Sequence, residues 1–262
     1  MGGKIKLQIS EDNIAGRINL QCELSILIGV DSLSYCIIDQ QRQVLLVREC
    51  DLSGFKQLGD FFLQDEYLRQ SYQNVRTAMV SPYFTFVPNR LYNTAEKRTY
   101  LQQISPLSND MDVRSDEIKS LSVTNVYAIQ RDRLDTVRKY LPNSKICHIT
   151  TALLHGLLSK SKVDTGHSVH IHLNSSRLTM ILLDGQSLQF INSYNYQSAK
   201  DFLYYVMLVF DQFKLNPEEI PAFVSGHLIK DSEIYPLLHR YLRQLNFISP
   251  PDFLNIGKNW KD

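Results

Sequence analysis

Cysteine, proline, glycine and tryptophan are all sparse in this chain of 262 residues, at 4, 9, 11 and 1. Cys22, Cys36, Cys50 and Cys147 form no C-x-x-C pair, and so few thiols exclude a disulfide-built mini-protein. The low glycine and proline content excludes a collagen-like fibre. Neither sign of charge prevails. With 28 basic and 27 acidic side chains the net charge is +1, which removes any global basic field for holding nucleic acid. Long apolar runs are missing too. The longest, Phe202 to Phe210, has nine residues where a spanning helix takes about 20, so no membrane insertion is expected. The opening residues lack the apolar core of a secretory signal. Lys6 stands where a myristoylation signal takes Ser or Thr. The expectation is a cytoplasmic protein with reduced, structural cysteines. What the chain does have is 44% hydrophobic residues, enough to bury a sizeable core.

The sequence also repeats itself. A shift of 145 residues lays Leu24, Ile26 and Ile28 on Val169, Ile171 and Leu173. It lays Leu33–Asp39 on Leu178–Asp184, and Ser53 on Ser198, without a gap. Six identities fall in the 35 aligned positions, and many apolar positions match as well. Each copy begins with an alternating run that predicts a strand with one buried face. A polar break and a second apolar run follow, ending at an Asp-containing turn: Asp39-Gln-Gln-Arg42 in one copy, Asp184-Gly185-Gln186 in the other. A third strand comes next, Val44–Val47 or Leu188–Ile191, and then a serine opens a helix. Ser198 with Asp201 fits a capping pattern, because both side chains can bind unpaired backbone N–H groups; Ser53, followed by Lys56, offers only its hydroxyl. Phe55, Leu58 and Phe62 share one face of the first helix. The second, Phe202–Phe210, is apolar nearly all round and is expected to be more deeply buried.

Beyond these helices the pattern alternates. The first copy predicts strands over Val75–Val80, Phe84–Val87, Val123–Ile129 and Ile146–Ile149. Its helices are expected over Thr94–Ile104, Asp132–Tyr140 and Ala152–Lys160. The second copy predicts a strand over Ala222–Val224, a helix over Ser232–Leu242 containing Pro236, and a strand at Phe247–Ile248. Ser105–Lys119, rich in Asp110, Asp112, Asp116 and Glu117, reads as an exposed loop. Ser159–Gly166 reads as the linker. The halves are therefore expected at 20–162, with an insert near 81–122, and at 163–262.

Three antiparallel strands, a helix, and then strand–helix units, in tandem, resemble the actin-like ATPase fold. This is an α/β fold of duplicated ribonuclease-H-like domains, mixed sheets with flanking helices, in which nucleotide sits between the halves. The stretch Ser168–Gly226 looks like the second half of the type IV pilus assembly and cell-division members of that superfamily. The whole chain resembles a small bacterial family of about this length and unassigned function with the same fold. The resemblance covers most of residues 24–250.

The chemistry that the resemblance implies meets altered residues. The first phosphate loop of such proteins reads Asp-x-Gly-Thr/Ser, the Asp acting through Mg²⁺ and the glycine admitting phosphate to the backbone. Here Leu27-Ile28-Gly29-Val30 stands in its place, and Leu27 binds no metal. The second loop has a similar Asp-x-Gly, replaced by His172-Leu173-Asn174-Ser175. The paired glycines of the adenosine motif are reduced to Gly226 in Val224-Ser225-Gly226-His227. The positions that would still line a nucleotide are Gly29, Ser32, Asn174, Ser175, Ser176 and Gly226. Ser175, Ser176 and Arg177 could donate to an anion. No catalytic residue, metal ligand or cofactor is assigned.

Other constellations read more plainly. His170 and His172 share a strand face and could chelate zinc, but no third ligand is selected by spacing. Ser225-Gly226-His227 lacks a nucleophile elbow. Alternation sends Cys147 and His148 to opposite faces, against a dyad. Residues 131–162 hold Arg131, Arg133, Arg138, Lys139, Lys145, Lys160 and Lys162 against Asp132 and Asp135, either a solvated face or a patch for nucleic acid. Tyr72, Tyr83, Tyr92 and Tyr100 suit an interface or the packing of irregular loops. The favoured reading is a non-catalytic scaffold acting on an unknown protein partner. The alternatives are an ATP-dependent switch using divergent phosphate loops and nucleic-acid binding through 131–162. The oligomeric state is left open.

Overall fold

The computed structural model describes residues 4–10, 14–52, 56–160, 166–226 and 233–248. Ser53, Phe55, His227, Ser232, most of the expected linker and residues 249–262 lie outside them. The described residues form three sheets, and the chain divides into two units between His155 and Gly156, inside a helix. No helix among them is long and apolar enough to cross a membrane.

The first unit opens with β1 (Lys4–Ser10), then β2 (Glu23–Ile28), β3 (Ser32–Ile38) and β4 (Val44–Asp51), an antiparallel meander followed by α1 (Lys56–Gln64). Strict alternation buries Leu24, Ile26 and Ile28 on one face of β2, and Leu33, Tyr35 and Ile37 on the same face of β3. Leu58 and Phe62 of α1 are buried as well. Parallel β5 (Asn74–Met79) and β9 (Lys145–His148) complete the order β1-β4-β3-β2-β5-β9.

A separate sheet, β6-β8-β7, comprises β6 (Phe84–Pro88), β7 (Met111–Ile118) and β8 (Val123–Gln130). With α2 (Lys97–Gln102) it encloses a small core of Val87, Leu101, Val113, Val126 and Ala128, against which Tyr83, Tyr92 and Tyr100 pack. β7 corrects the expectation of a loop over Ser105–Lys119. It is an edge strand on which Val113 and Ile118 are buried, Asp112 and Asp116 half-buried and Glu117 exposed. A short polar strand of this kind carries too little apolar alternation to be read from sequence. The unit continues through α3 (Arg131–Tyr140) to α4 (Ile149–Lys160), which starts directly after β9.

The second unit contains β10 (His167–Asn174), β11 (Arg177–Asp184), β12 (Ser187–Asn195), α5 (Ala199–Gln212), β13 (Ala222–Gly226), α6 (Ile234–Tyr241) and β14 (Leu245–Phe247), in sheet order β12-β11-β10-β13-β14. Ser198 caps α5: its Oγ accepts from the Asp201 N–H at 3.1 Å, and the Asp201 carboxylate accepts from the Gln197 N–H at 3.2 Å. Phe202, Val206, Val209 and Phe210 bury the inner face of α5, but Tyr204 is 61% exposed, so the helix is amphipathic rather than apolar all round. Pro236 is accommodated because it is the third residue of α6, in the first turn, where a missing N–H breaks no helical bond. The 145-residue shift carries Ser32, the start of β3, onto Arg177, the start of β11. Without β1, the two sheets share one order of strands.

Candidate functional site

The residues expected to line a nucleotide collect at the strand turns, each within its own unit. Gly29 and Ser32 form the β2–β3 turn. The Gly29 N–H donates to the Ser32 carbonyl at 2.8 Å, and a Cβ on Gly29 would strike Ser32 Oγ. Arg133, on the first turn of α3, donates from its guanidinium to the Gly29 carbonyl oxygen. Burial works against its charge, yet a guanidinium stays protonated, so a fixed cation sits against this turn. Leu27, where the resemblance places a metal-directing Asp, pairs with Ser34.

In the second unit Asn174 pairs with Arg177 across a two-residue turn, Ser175-Ser176. Ser175 takes a left-handed φ of 50°. Tyr196 fastens both turn residues: its hydroxyl donates to the Ser175 carbonyl at 2.8 Å, and its N–H to the Ser176 carbonyl at 3.0 Å. Strand register then sets two polar rows on one sheet face. Asn195, Arg177 and Asn174 make the first; Ser193, Thr179, His172 and Ser225 make the second. The second row is knitted by Thr179–Ser193 (2.8 Å) and His172–Ser225 (3.0 Å) bonds. Arg177 has its charge opposed by burial, and no hydrogen bond or ion pair of its side chain falls among the described residues. Gly226 ends β13 at φ 90°, and a Cβ there would run into the Leu173 carbonyl. Its glycine is dictated by backbone approach.

The arrangement brings Gly29 with Ser32, and Asn174, Ser175 and Ser176 with the β10–β13 edge that ends at Gly226. The sequence reading has Arg177 beside Ser175 and Ser176 as a donor to an anion, and it misses Arg133 as a neighbour of the Gly29 turn. Arg133 reads there as one of the basic groups of 131–162, on a solvated face or in a binding patch, and the structure corrects this. Arg133 is drawn inward to Gly29, while Arg138 pairs with Asp135 (3.5 Å) and Lys139 lies over the Tyr140 ring (5.2 Å). Lys162 and the Lys160 side chain lie outside the described residues.

Among the described residues no set of three His, Cys, Asp or Glu gathers for a metal. His170 stacks on Phe223 at 5.0 Å, and burial lowers its pKa from 6.5 to about 4, so the imidazole is neutral at neutral pH. Cys147 is pushed up to about 12 by burial. Neighbouring His148 is fully buried, its Nε2 donating to the Ser81 carbonyl (3.0 Å) while Nδ1 accepts from the Thr150 N–H (3.3 Å). Around it, Asp116 accepts from the Tyr127 hydroxyl (3.0 Å) and the His148 N–H (2.9 Å), and burial raises its pKa. Asn125 donates to Thr150 and Thr151. This polar knot fastens β8 to the start of α4; an inert thiol and a saturated imidazole make no nucleophilic pair.

The fold class is settled by solved structures. A Bacteroides thetaiotaomicron protein, described as having an actin-like ATPase fold and unknown function, superposes with a TM-score of 0.79 at 19% identity, over 87% of this chain and 91% of that one. A chain of the PilM-PilN type IV pilus biogenesis complex gives 0.59 at 12% identity, over 87% and 88%. This protein has the actin-like ATPase fold. By sequence it belongs to the DUF3822 family of proteins of unknown function, whose model matches residues 12–245. A search of curated proteins finds no match.

Proposed function

We propose that this protein is a non-catalytic member of the actin-like fold, produced by duplication and acting through contact with a protein partner. The observation that carries the reading is the chemistry of the two turns. Where Mg²⁺-directed carboxylates would stand there are Leu27 and His172, and each turn carries an arginine instead. A divalent cation is repelled by a guanidinium, so the metal-assisted attack of water on a phosphoanhydride has no support from these groups. Protein partnership is supported by the PilM-PilN neighbour, whose description is of a complex. Pull-down from the native organism with a tagged chain tests it: a stoichiometric, salt-resistant protein partner is expected, and recovery of the chain alone opposes the reading.

A second reading is favoured by one observation. Arg177 is a half-buried cation with no counter-charge among the described residues, beside two serines in a turn held open by a left-handed residue. Such a group suits an anion, and a nucleotide taken through arginine rather than Mg²⁺ would make the protein a ligand-dependent switch. Nucleotide titration separates the two readings. Nucleic-acid binding through 131–162 is left with six of its seven basic groups once Arg133 turns inward, and retention on nucleic acid at low salt tests it.

A further inference from the structure

The three sheets have six edges, and five of them are defended against added strands. β1 carries Lys4 and Lys6 and a register shift between Ile5 and Leu7. β9 has four residues including Lys145, and β14 has three. β6 ends in Pro88, and β7 bears Asp112, Arg114, Asp116 and Glu117. Charge, shortness, proline and bulges are how folded proteins stop their edges from pairing with other chains. β12 is different. It runs nine residues, Ser-Leu-Gln-Phe-Ile-Asn-Ser-Tyr-Asn, with no charge and no proline. Its one irregularity leaves Gln189 unpaired and the stretch Phe190–Asn195 regular.

The two sheets differ at this very edge. In the first unit the third strand of the meander, β4, is covered by an antiparallel strand, β1. Its counterpart β12 pairs only with β11 among the described residues. The Tyr196 N–H points inward to Ser176, so by alternation Ile191, Ser193 and Asn195 turn their N–H and C=O groups outward. Among the described residues the Ser193 N–H is met only by the side chain of its neighbour Asn192, at 2.8 Å. On the α5 side the edge is flanked by aromatics. Tyr194 stacks on Tyr205 at 4.5 Å, and the exposed Tyr204 abuts Tyr205 at 5.4 Å.

We propose that β12 is a dimerisation edge, and that its occupant is β12 of a second copy of this chain, paired antiparallel about a two-fold axis at Ser193. In that register Ser193 faces Ser193 of the second copy, and Ile191 faces Asn195 of the second copy. On the α5 side Asn192 meets Tyr194 of the second copy, and Phe190 meets Tyr196 of the second copy. No charge is desolvated and no like charges oppose, because the strand has none. The self-pairing closes as a dimer rather than growing, since one edge is used once. β14, at the other end of the sheet, is too short to extend it. The proposal goes beyond the scaffold reading and does not depend on it.

The experiment uses the full chain. Sedimentation over a range of protein concentrations is expected to show a monomer–dimer equilibrium. Asn195→Pro removes an outward N–H without touching the β11–β12 ladder. It is expected to raise the dimer dissociation constant about tenfold or more, with the melting temperature of the monomer unchanged. Ser193→Cys is expected to give a disulfide-linked dimer under mild oxidation, since directly opposed strand residues lie within disulfide reach; wild type under the same conditions is expected to give none. A chain that stays monomeric at every concentration overturns the proposal. So does a dimer indifferent to Asn195→Pro that Ser193→Cys fails to cross-link, or assembly that continues past the dimer.

Discussion

Tyr35 and Met180 occupy equivalent places, 145 residues apart, in the second strand of each meander, yet they are buried in opposite chemistry. In the first unit the Tyr35 hydroxyl donates to Asp65, and Arg48 reaches the same carboxylate at 2.6 Å while its other nitrogens hold Gln8. Arg48 and Asp65 are both buried, and the guanidinium lies over the Tyr67 ring at 4.9 Å. In the second unit Met180 sits in a core of Phe202, Val206, Val209 and Phe210 with no ion pair in it. At this strand position one unit buries an ionic knot beside its apolar side chains, and the other buries apolar side chains alone. The strand order depends on the pattern of burial, and the chemistry filling the buried positions can be exchanged.

That comparison can be broken by exchange. Asp65→Ala leaves Arg48 buried without its partner and is expected to cost about 3–5 kcal/mol in denaturant unfolding. Replacing Arg48 and Asp65 together by Met and Phe is expected to recover only part of the loss: it removes the unpaired guanidinium but still orphans the Tyr35 hydroxyl and the Tyr67 and Leu68 N–H groups that donate to Asp65. Phe202→Ala is expected to cost a similar amount through the cavity it leaves, with no polar rescue. If Asp65→Ala is harmless, the knot is not what holds the first sheet.

The next effect is a pH dependence confined to the second unit. The His170 pKa is lowered from 6.5 to about 4. Between those values the unfolded chain binds a proton that the folded chain refuses, so stability falls as the pH drops through that window. The loss is about 3 kcal/mol once both values are passed. His170→Phe, stacked on Phe223, is expected to flatten the acid limb of the unfolding curve. An unchanged limb would show that His170 titrates freely.

Smaller still is the difference between the two turn glycines. Gly226→Ala forces a Cβ against the Leu173 carbonyl at positive φ and is expected to cost about 1–3 kcal/mol. Gly29→Ala meets only the hydroxyl end of Ser32, which can rotate, and is expected to cost less. Ser198→Ala, removing the α5 cap, is expected to cost about 1 kcal/mol in thermal unfolding.

The second unit was legible in the sequence because its signals are local: alternation in β10, the Asp-Gly turn, and the Ser198–Asp201 cap. The features that escaped are those in which charged residues leave the surface. Acidic β7 read as a loop, and Arg133 read as part of a solvated face. Nothing in the spacing of Tyr35, Arg48 and Asp65 announces that they meet, since contacts between distant elements have no period. β1 alternates Ile5, Leu7 and Ile9, but as a half-exposed edge it resembles an ordinary polar terminus. At the candidate site, the sequence identified the turns and their lost carboxylates. Arg177 was legible beside its two serines because it adjoins them in sequence, whereas Arg133 reaches Gly29 only once α3 is folded.

The central claim is that these turns no longer serve nucleotide hydrolysis. Its most direct test is calorimetric titration of the untagged protein with ATP and ADP, with and without Mg²⁺. The account predicts no Mg²⁺-dependent binding heat, no stabilisation of the melting temperature and no release of phosphate. Saturable binding that requires Mg²⁺, lost in bulky variants at Gly29 and Gly226 and accompanied by phosphate release, would contradict it.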